Sequence, residues 1–283
     1  MAVEVLPSDQ VDPLLMQDFV NGNHLSFIHL DWISSTQRIS QPGCSALFSD
    51  GEIKAMISCA PENEQAAWIR FFISVRDGNH ELYFRKLLDA TMGVLSTCQS
   101  SGLFVLPQRP WMRSLVEDND FLPVEEIVNL YLQIELFSTP LQMQIPGLEI
   151  RQMTQNNLPA VEALDEVAFL PEWRLNLESL QKVYQMSSHA TVAVLKGVIV
   201  GYQAMTSTFD SAHLARLAVA PFFQGKGIGH ALASEMLAYC ADTGMSRVTV
   251  NTQRSNTASL NLYRKLGFVP EDFILSVYRR SPL

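Results

Sequence analysis

The stretch LARLAVAPFFQGKGIGHALASEMLAYCADTG, residues 214–244, contains the signals that decide the fold of this part of the chain. It begins with an apolar run typical of a strand, which Pro221 ends. The alternate glycines of QGKGIG, residues 224–229, then lead into a helix that we expect from Ile228 to about Ala241. Glycines at a helix start leave backbone N–H groups open to a ligand, and the helix dipole favours an anion there. The segment therefore predicts a phosphate-binding loop.

Two other glycine-rich loops fit this segment poorly. A Walker loop needs Gly-Lys-Ser/Thr, but Lys226 is followed by Gly227 and Ile228. The dinucleotide fingerprint GxGxxG is also missed, because the glycines alternate singly. A tight helix-entry turn without a ligand is the remaining alternative for the loop taken alone.

The loop resembles that of the GCN5-related N-acetyltransferases, the GNAT family. In that family a Gln or Arg is followed by two residues, a Gly, one residue and a Gly or Ala, and Gln224, Gly227 and Gly229 fill these positions. A second part of the family pattern follows in NTQRSNTASLNLYRKLGFVPE, residues 251–271. The residues that match it are Asn256, Ser259, Leu262, Tyr263, Gly267 and Phe268. Two motifs in the correct order are more specific than one loop, and the resemblance covers about residues 147–280.

The resemblance implies an α/β (α+β) fold with a mixed, mostly antiparallel sheet flanked by helices. Such a sheet splays open between its fourth and fifth strands and holds acetyl-CoA in the gap. Main-chain groups of Leu217, Ala218 and Val219 would pair with the pantetheine arm as an extra strand does, and one N–H would polarise the thioester carbonyl. The other coenzyme-binding residues that it implies are Gln224, Gly225, Lys226, Gly227, Ile228, Gly229, Asn256, Ser259 and Tyr263. No metal is expected.

Three residues are candidates for proton transfer. Tyr263 is the expected acid, because an amine that attacks a thioester expels a thiolate, and a phenol with a pKa of about 10 can protonate it. The strand AHLARLAVA lacks the carboxylate that often serves the family as base, so His213 is its only conventional base. Glu172 lies in the LPEWR turn, where the family builds its acceptor pocket. The alternatives are that Tyr263 only packs, that His213 is structural, and that a water relay moves the proton.

The composition limits the class of protein. The chain has 283 residues, 47% hydrophobic and 17% charged, which predicts two globular domains. A formal net charge of −9 argues against nucleic acid or a membrane surface as partner. The first residues do not resemble a secretory signal, and no apolar run is as long as a membrane span, so we expect a cytoplasmic protein. Four scattered cysteines predict inert thiols.

The chain between Leu136 and Leu148 contains two prolines and a glycine, which predicts a boundary between domains at 1–140 and 146–283. A weak internal repeat supports two copies of one fold. CQSSGLFVLPQR, from Cys98, matches CADTGMSRVTVNTQR, from Cys240, and FLPVEE matches FVPEDF further along each half.

Local patterns predict several elements of the second half. Helical spacing runs from Asn157 to Phe169, and a second helix is expected at Leu177–Met186. Two strands are joined by a turn at Lys196-Gly197. The residues expected on the buried face of the first helix are Leu158, Val161, Leu164 and Val167.

The first half departs from the family at each functional position. The counterpart of the glycine loop follows AAWIRFFISV and reads RDGNHE, where Asp77 and Glu81 would repel a phosphate. Val116 stands at the counterpart of Tyr263 and has no proton to give. We therefore expect a degenerate GNAT-like domain without a coenzyme loop, which covers the acceptor cleft, supplies specificity or mediates association of a monomer or homodimer.

Together these features predict an N-acetyltransferase. It would transfer an acetyl group from acetyl-CoA to a primary amine of a small molecule or peptide by direct attack. Two alternatives stay open: an acyltransferase that uses another acyl-CoA or acceptor, and a non-catalytic coenzyme-binding sensor or scaffold.

Overall fold

The computed structural model describes residues 3–29, 32–63, 65–95, 102–137 and 145–281. The chain divides into two compact units. The first contains Met1–Val124 and Leu275–Leu283, and the second contains Glu125–Ile274. The sequence predicted domains at 1–140 and 146–283, and the two units have other bounds. Residues from Glu125 onward belong to the second unit, and residues from Leu275 onward belong to the first. Most of the proline-containing stretch after Leu136 lies outside the described residues.

The first unit has a mixed sheet with helices on both faces. Its strands are β1 (Val3–Pro7), β2 (Leu25–Ile28), β3 (Cys44–Ser49), β4 (Glu52–Asn63), β5 (Ala66–Ser74) and β6 (Leu103–Val105). Its helices are α1 (Pro13–Asn21), α2 (Ser35–Arg38), α3 (His80–Leu95) and α4 (Pro110–Glu117). The order β1-β3-β4-β5-β6 is antiparallel except for the parallel pair β5–β6. The first unit has two hydrophobic cores, and neighbouring phenylalanines of β5 pack into different ones. Phe72 packs on Phe84 of α3, while Phe71 packs with Met16 of α1.

The second unit repeats this plan. Its strands are β7 (Leu122–Gln133, of which the residues from Glu125 belong here), β8 (Leu148–Gln152), β9 (His189–Leu195), β10 (Val198–Thr208), β11 (Ser211–Val219), β12 (Arg247–Gln253) and β13 (Val269–Arg280, up to Ile274). Its helices are α5 (Leu158–Ala168), α6 (Leu177–Met186), α7 (Ile228–Asp242) and α8 (Thr257–Lys265). The order β8-β9-β10-β11-β12-β7 is antiparallel except for the parallel pair β11–β12. Both units therefore have the mixed, mostly antiparallel sheet that the sequence predicts.

The parallel pair of each sheet opens partway along its length. In the second unit, β11 pairs with β12 from Ser211 to Leu214 and then continues without that register to Val219. In the first unit, β5 pairs with β6 only at Ala67 and Trp68. There the further part of β5 pairs with β2, which places Leu25–Ile28 against Phe71–Ser74. The first unit thus fills with its own strand the position that the second unit leaves open.

Most local predictions for the second half are confirmed, with one correction. Helix α6 spans the predicted residues, α7 begins at Ile228, and the turn at Lys196-Gly197 joins β9 to β10. The prediction that Val167 is buried is wrong, because its side chain is 60% exposed. Asp165 is buried instead, since in the last turn of α5 it pairs with an arginine of the sheet.

The cysteines in the described part of the chain are free and buried, as expected for inert thiols. They are Cys44, Cys59 and Cys240. Burial raises the pKa of the Cys44 thiol to about 12. Burial and the nearby Glu235 carboxylate raise that of Cys240 to about 11. Cys98 lies outside the described residues.

Two kinds of feature are absent from the part of the chain that the structure describes. None of the helices there is long and apolar enough to cross a membrane. No group of three or more His, Cys, Asp or Glu side chains in the same ranges could hold a metal ion.

Candidate functional site

A cavity of about 760 Å³ opens in the second unit between the end of β11, the glycine loop and α8. Ten of the expected coenzyme-binding residues line it: Leu217, Ala218, Val219, Gln224, Gly225, Gly227, Ile228, Gly229, Asn256 and Ser259. The other lining residues, which sequence reasoning missed, are Ala168, Phe169, Phe223, His230, Ala258, Asn261, Leu262 and Lys265. Lys226 and Tyr263 do not line it.

The glycine loop has the backbone geometry of an anion-binding turn. Gly225 and Gly227 have φ angles of 72° and 86°, in the left-handed region that side chains disfavour. Gly227 directly precedes α7 and has no side chain to cap that helix. The N–H groups of the first helical turn lack intrahelical acceptors, and Ile228, Gly229 and His230 of that turn line the cavity. A Cβ added at Gly225 would meet nothing within 4 Å, so the loop leaves space for a ligand.

Two polar side chains of the loop stabilise it through hydrogen bonds to nearby backbone carbonyl oxygens. The Gln224 side-chain amide donates to the Val219 carbonyl oxygen over 2.9 Å. Lys226 donates through Nζ to the Phe222 carbonyl oxygen over 2.8 Å and lies 4.4 Å from the centre of the Phe222 ring. Both residues therefore fix the loop between β11 and α7, and Lys226 is not among the residues that line the cavity.

The edge of β11 forms a second wall. The register between β10 and β11 shifts at Ala215, because Ala204 pairs with Arg216 while Met205 pairs with Leu214. Beyond that bulge, Leu217, Ala218 and Val219 line the cavity where β11 has separated from β12. Main-chain groups at a separated strand edge can hydrogen-bond an extended ligand.

Helix α8 forms the third wall. Asn256 is its N-cap, and its side-chain oxygen accepts the Ser259 N–H over 3.1 Å. The cap positions the first turn of α8, from which Ala258 and Ser259 face the cavity. Lys265, in the last turn, brings a positive charge to the wall.

None of the three proton-transfer candidates lines the cavity. Tyr263 is 4% exposed and packs with Phe268 at a ring distance of 5.6 Å, and burial raises the pKa of its phenol. His213 hydrogen-bonds through Nδ1 to Thr249 Oγ1 over 2.9 Å, and burial lowers its pKa, so the ring is neutral at neutral pH. Glu172 is half-buried in a short 3₁₀ turn, Pro171–Trp173, after α5.

A buried charge cluster beside the cavity was missed from the sequence. Asp165 of α5 is fully buried and accepts two hydrogen bonds of 2.7 and 2.9 Å at Oδ2 from Arg216 of β11. Tyr202 also donates to Asp165, and Arg216 donates to the Trp173 carbonyl oxygen over 2.7 Å. The sequence signal was a lone arginine in the apolar strand LARLAVA and an aspartate on the inward side of α5.

The corresponding turn of the first unit has different contacts. Between β5 and α3, the Asp77 carboxylate accepts hydrogen bonds from the Asn79 N–H over 2.9 Å and from the Tyr83 hydroxyl over 2.8 Å. A carboxylate thus occupies the turn at the helix start, and β2 occupies the adjacent edge of β5.

The fold and the cavity define a class of protein: an α/β domain whose sheet opens beside a glycine-rich loop at a helix start. Residues 155–268 match the model of the Acetyltransferase (GNAT) family. These residues of the second unit therefore form a GNAT domain.

Curated relatives match parts of the chain. N-acetylaspartate synthetase of Danio rerio is 37% identical over 98 residues, which are 32% of this chain and 35% of the relative. A [ribosomal protein bS18]-alanine N-acetyltransferase of Haemophilus influenzae is 29% identical over 80 residues, 28% of this chain and 54% of the relative. The chain thus spans about a third to a half of the length of these relatives.

Solved structures extend the likeness to the whole chain. A tandem GNAT protein from the clavulanic acid biosynthesis pathway has a TM-score of 0.60 at 13% identity, and the alignment covers 100% of this chain and 99% of that one. A GCN5-related N-acetyltransferase from Sphaerobacter thermophilus has a TM-score of 0.57 at 18% identity, over 84% and 80% of the two chains. At such identities the likeness shows the fold, here a tandem arrangement of GNAT-like units.

Proposed function

We propose that the protein is an acetyl-CoA-dependent N-acetyltransferase whose second unit acetylates a primary amine of a small molecule or peptide. The observation that carries the proposal is the cavity whose walls are formed by the glycine loop, the separated edge of β11 and the capped start of α8. A curated relative named as a [ribosomal protein bS18]-alanine N-acetyltransferase supports the reaction class.

The residues present fit the coenzyme. N–H groups of the loop and the first turn of α7 would hold the pyrophosphate, because residues of both segments line the cavity and a Cβ added at Gly225 would meet nothing within 4 Å. Lys265 would offset part of the phosphate charge from α8. The edge from Leu217 to Val219 would bind the pantetheine arm, and one of its N–H groups would polarise the thioester carbonyl. Acetyl-CoA bound in this way would supply an activated acetyl group.

Proton transfer accompanies the exchange of bonds. The amine nitrogen forms a bond to the acetyl carbon, the carbon–sulfur bond breaks, and the ammonium proton must leave before attack. His213 is our proposed base, because its lowered pKa keeps the imidazole neutral at neutral pH and able to accept a proton. Tyr263 is our proposed acid because of its place in the family pattern; burial, which raises the pKa of its phenol, makes it a weaker proton donor. Glu172 is the proposed contact of the acceptor.

The first test is calorimetric titration of the whole protein with acetyl-CoA, with Gly227→Asp as the disabling variant. An aspartate there adds a negative charge in the loop and strain at a φ of 86°. Gly197→Asp is the matched control, since its φ is 80°, no atom lies within 4 Å of an added Cβ, and it lies in the turn between β9 and β10. We expect one equivalent to bind to the wild type and the control, and none to the loop variant. Absence of binding by the wild type would refute the proposal.

The second test separates an enzyme from a coenzyme sensor. Mass spectrometry would follow acetylation of a panel of amines that includes the precursor of N-acetylaspartate and an alanine-starting peptide, chosen after the names of the relatives. Tyr263→Phe should slow turnover by about 10²–10⁴-fold with unchanged coenzyme binding. A sensor would acetylate none of the amines in either form.

We further propose that the first unit binds no coenzyme. The support is the pairing of β2 with β5, which occupies the edge, and the Asp77 carboxylate in the turn. Two equivalents of acetyl-CoA bound per chain in the titration would contradict this.

A further inference from the structure

Phe169 forms the apolar end of the cavity and has no role in the chemistry described so far. It follows the last residue of α5, lines the cavity with Ala168, and is partly exposed. The Arg216 guanidinium lies 3.6 Å from the centre of its ring. Arg216 directly precedes Leu217, where the open edge of β11 begins to line the cavity.

The two ends of the cavity differ in chemistry. The glycine loop follows β11, so the strand edge leads from Arg216 and Phe169 at one end to the loop N–H groups at the other. In coenzyme A, the pyrophosphate and the thiol lie at opposite ends of the pantetheine arm. With the pyrophosphate at the loop, the thioester lies at the Phe169 end. This orientation rests on the proposed function.

Two backbone hydrogen bonds and a stacked guanidinium hold Phe169 in place. Its N–H donates to the Asp165 carbonyl oxygen over 3.1 Å, and its own carbonyl oxygen accepts the Arg174 Nε–H over 3.1 Å. The arginine stacked on its ring is fixed by the buried Asp165 carboxylate and by the Trp173 carbonyl oxygen. A ring that rotates aside to admit a longer chain loses its stacking contact with the fixed Arg216 guanidinium, which costs free energy.

We propose that Phe169, positioned by the Asp165–Arg216 pair, sets the length of the acyl group and restricts the donor to short acyl-CoAs. Acetyl fits in front of the ring, and each added methylene must displace it. The residue therefore determines donor specificity without taking part in the proton transfers.

The test compares the binding of acetyl-CoA, butyryl-CoA and free CoA to the wild type and to Phe169→Ala by calorimetry. Butyryl has two methylenes more than acetyl, and each methylene that finds apolar room adds about fourfold in affinity. We expect the wild type to favour acetyl-CoA, and the ratio of butyryl to acetyl affinity to rise by about 15-fold in the variant. Because both affinities are measured on one preparation, a loss of folded protein changes both alike and leaves the ratio intact.

Three further variants make the result specific. Val167→Ala, on the exposed side of α5, should leave the ratio unchanged. Arg216→Lys keeps the charge beside Asp165 but loses the flat stacking group, so it should raise the ratio by less than Phe169→Ala. Phe169→Trp enlarges the wall and should weaken acetyl-CoA relative to free CoA.

Failure of the inference and failure of the proposed function give different results. A wild type that binds none of the three ligands overturns both. In the other case, the wild type binds free CoA and acetyl-CoA, but the ratio of butyryl-CoA to acetyl-CoA affinity is the same in Phe169→Ala as in the wild type. That result overturns the acyl-length role and leaves the acetyltransferase proposal standing.

Discussion

Replacing Asp165 with asparagine should cost the protein about 3–5 kcal/mol of unfolding free energy. The carboxylate is fully buried and accepts hydrogen bonds from Arg216, Tyr202 and the Leu175 N–H. Asparagine keeps the size of the side chain but removes the charge, so the Arg216 guanidinium, whose side chain is 13% exposed, is left without its counterion. Breaking a buried ion pair at one partner has this magnitude, because an uncompensated charge stays in a medium of low polarity.

Urea unfolding followed by circular dichroism measures the cost, with Glu166→Gln as the control. Glu166 is the next residue of α5 and is exposed, so its loss should change the unfolding free energy by no more than about 0.5 kcal/mol. A double variant, Asp165→Asn with Arg216→Met, should lose less than the sum of the two single variants by at least about 1 kcal/mol. A cost for Asp165→Asn below about 1 kcal/mol would refute the view that this pair holds α5 to the sheet.

Three more outcomes follow from the contacts of the second unit and from the buried thiols. Asn256→Ala removes the N-cap of α8, which should cost about 1 kcal/mol in urea unfolding and weaken acetyl-CoA in the titration, while Asn256→Ser should restore most of both. Burial lowers the pKa of His213 below its usual 6.5, so the unfolded chain binds the proton more readily than the folded chain. The free energy of unfolding should therefore fall as the pH drops below 6.5. Urea unfolding at several pH values should show a flatter dependence for His213→Gln. In a Cys98→Ser variant at pH 8, a disulfide reagent should modify none of the three remaining thiols of the native protein and all three of the unfolded protein. Reaction of a thiol in the native protein would contradict the burial of these cysteines.

The glycine loop and its flanking elements could be predicted because their signals are local. A proline after an apolar run ends β11, and glycines with positive φ set the turn into α7 within six residues. The same holds for the turn at Lys196-Gly197, where both residues have positive φ angles. Each signal depends on the backbone preferences of neighbouring residues, so the sequence alone is enough.

Features that depend on distant residues could not be predicted. Asp165 and Arg216 are 51 positions apart, and the helical pattern of α5 favoured Val167 as the inward residue of the last turn. The assignment of Leu275 onward to the first unit also depends on long-range pairing, in which Tyr278 lies opposite Val105. A single strand carries no information about its partner, because many strands share the same alternation. The wall that α5 gives to the cavity was missed for the same reason, and so were the contributions of Ala258, Asn261, Leu262 and Lys265 to the α8 wall.

The strand β2 in the first unit has a consequence for how heat should unfold the molecule. A segment that is covalently part of the chain is always present at the β5 edge, whereas the coenzyme that we propose would complete the β11 edge from solution. A ligand that binds only the folded state raises stability with its concentration, by about 2.7 kcal/mol at a hundred times its Kd. The melting of the second unit should therefore report the cellular supply of coenzyme, while the first unit melts at a temperature that is indifferent to it.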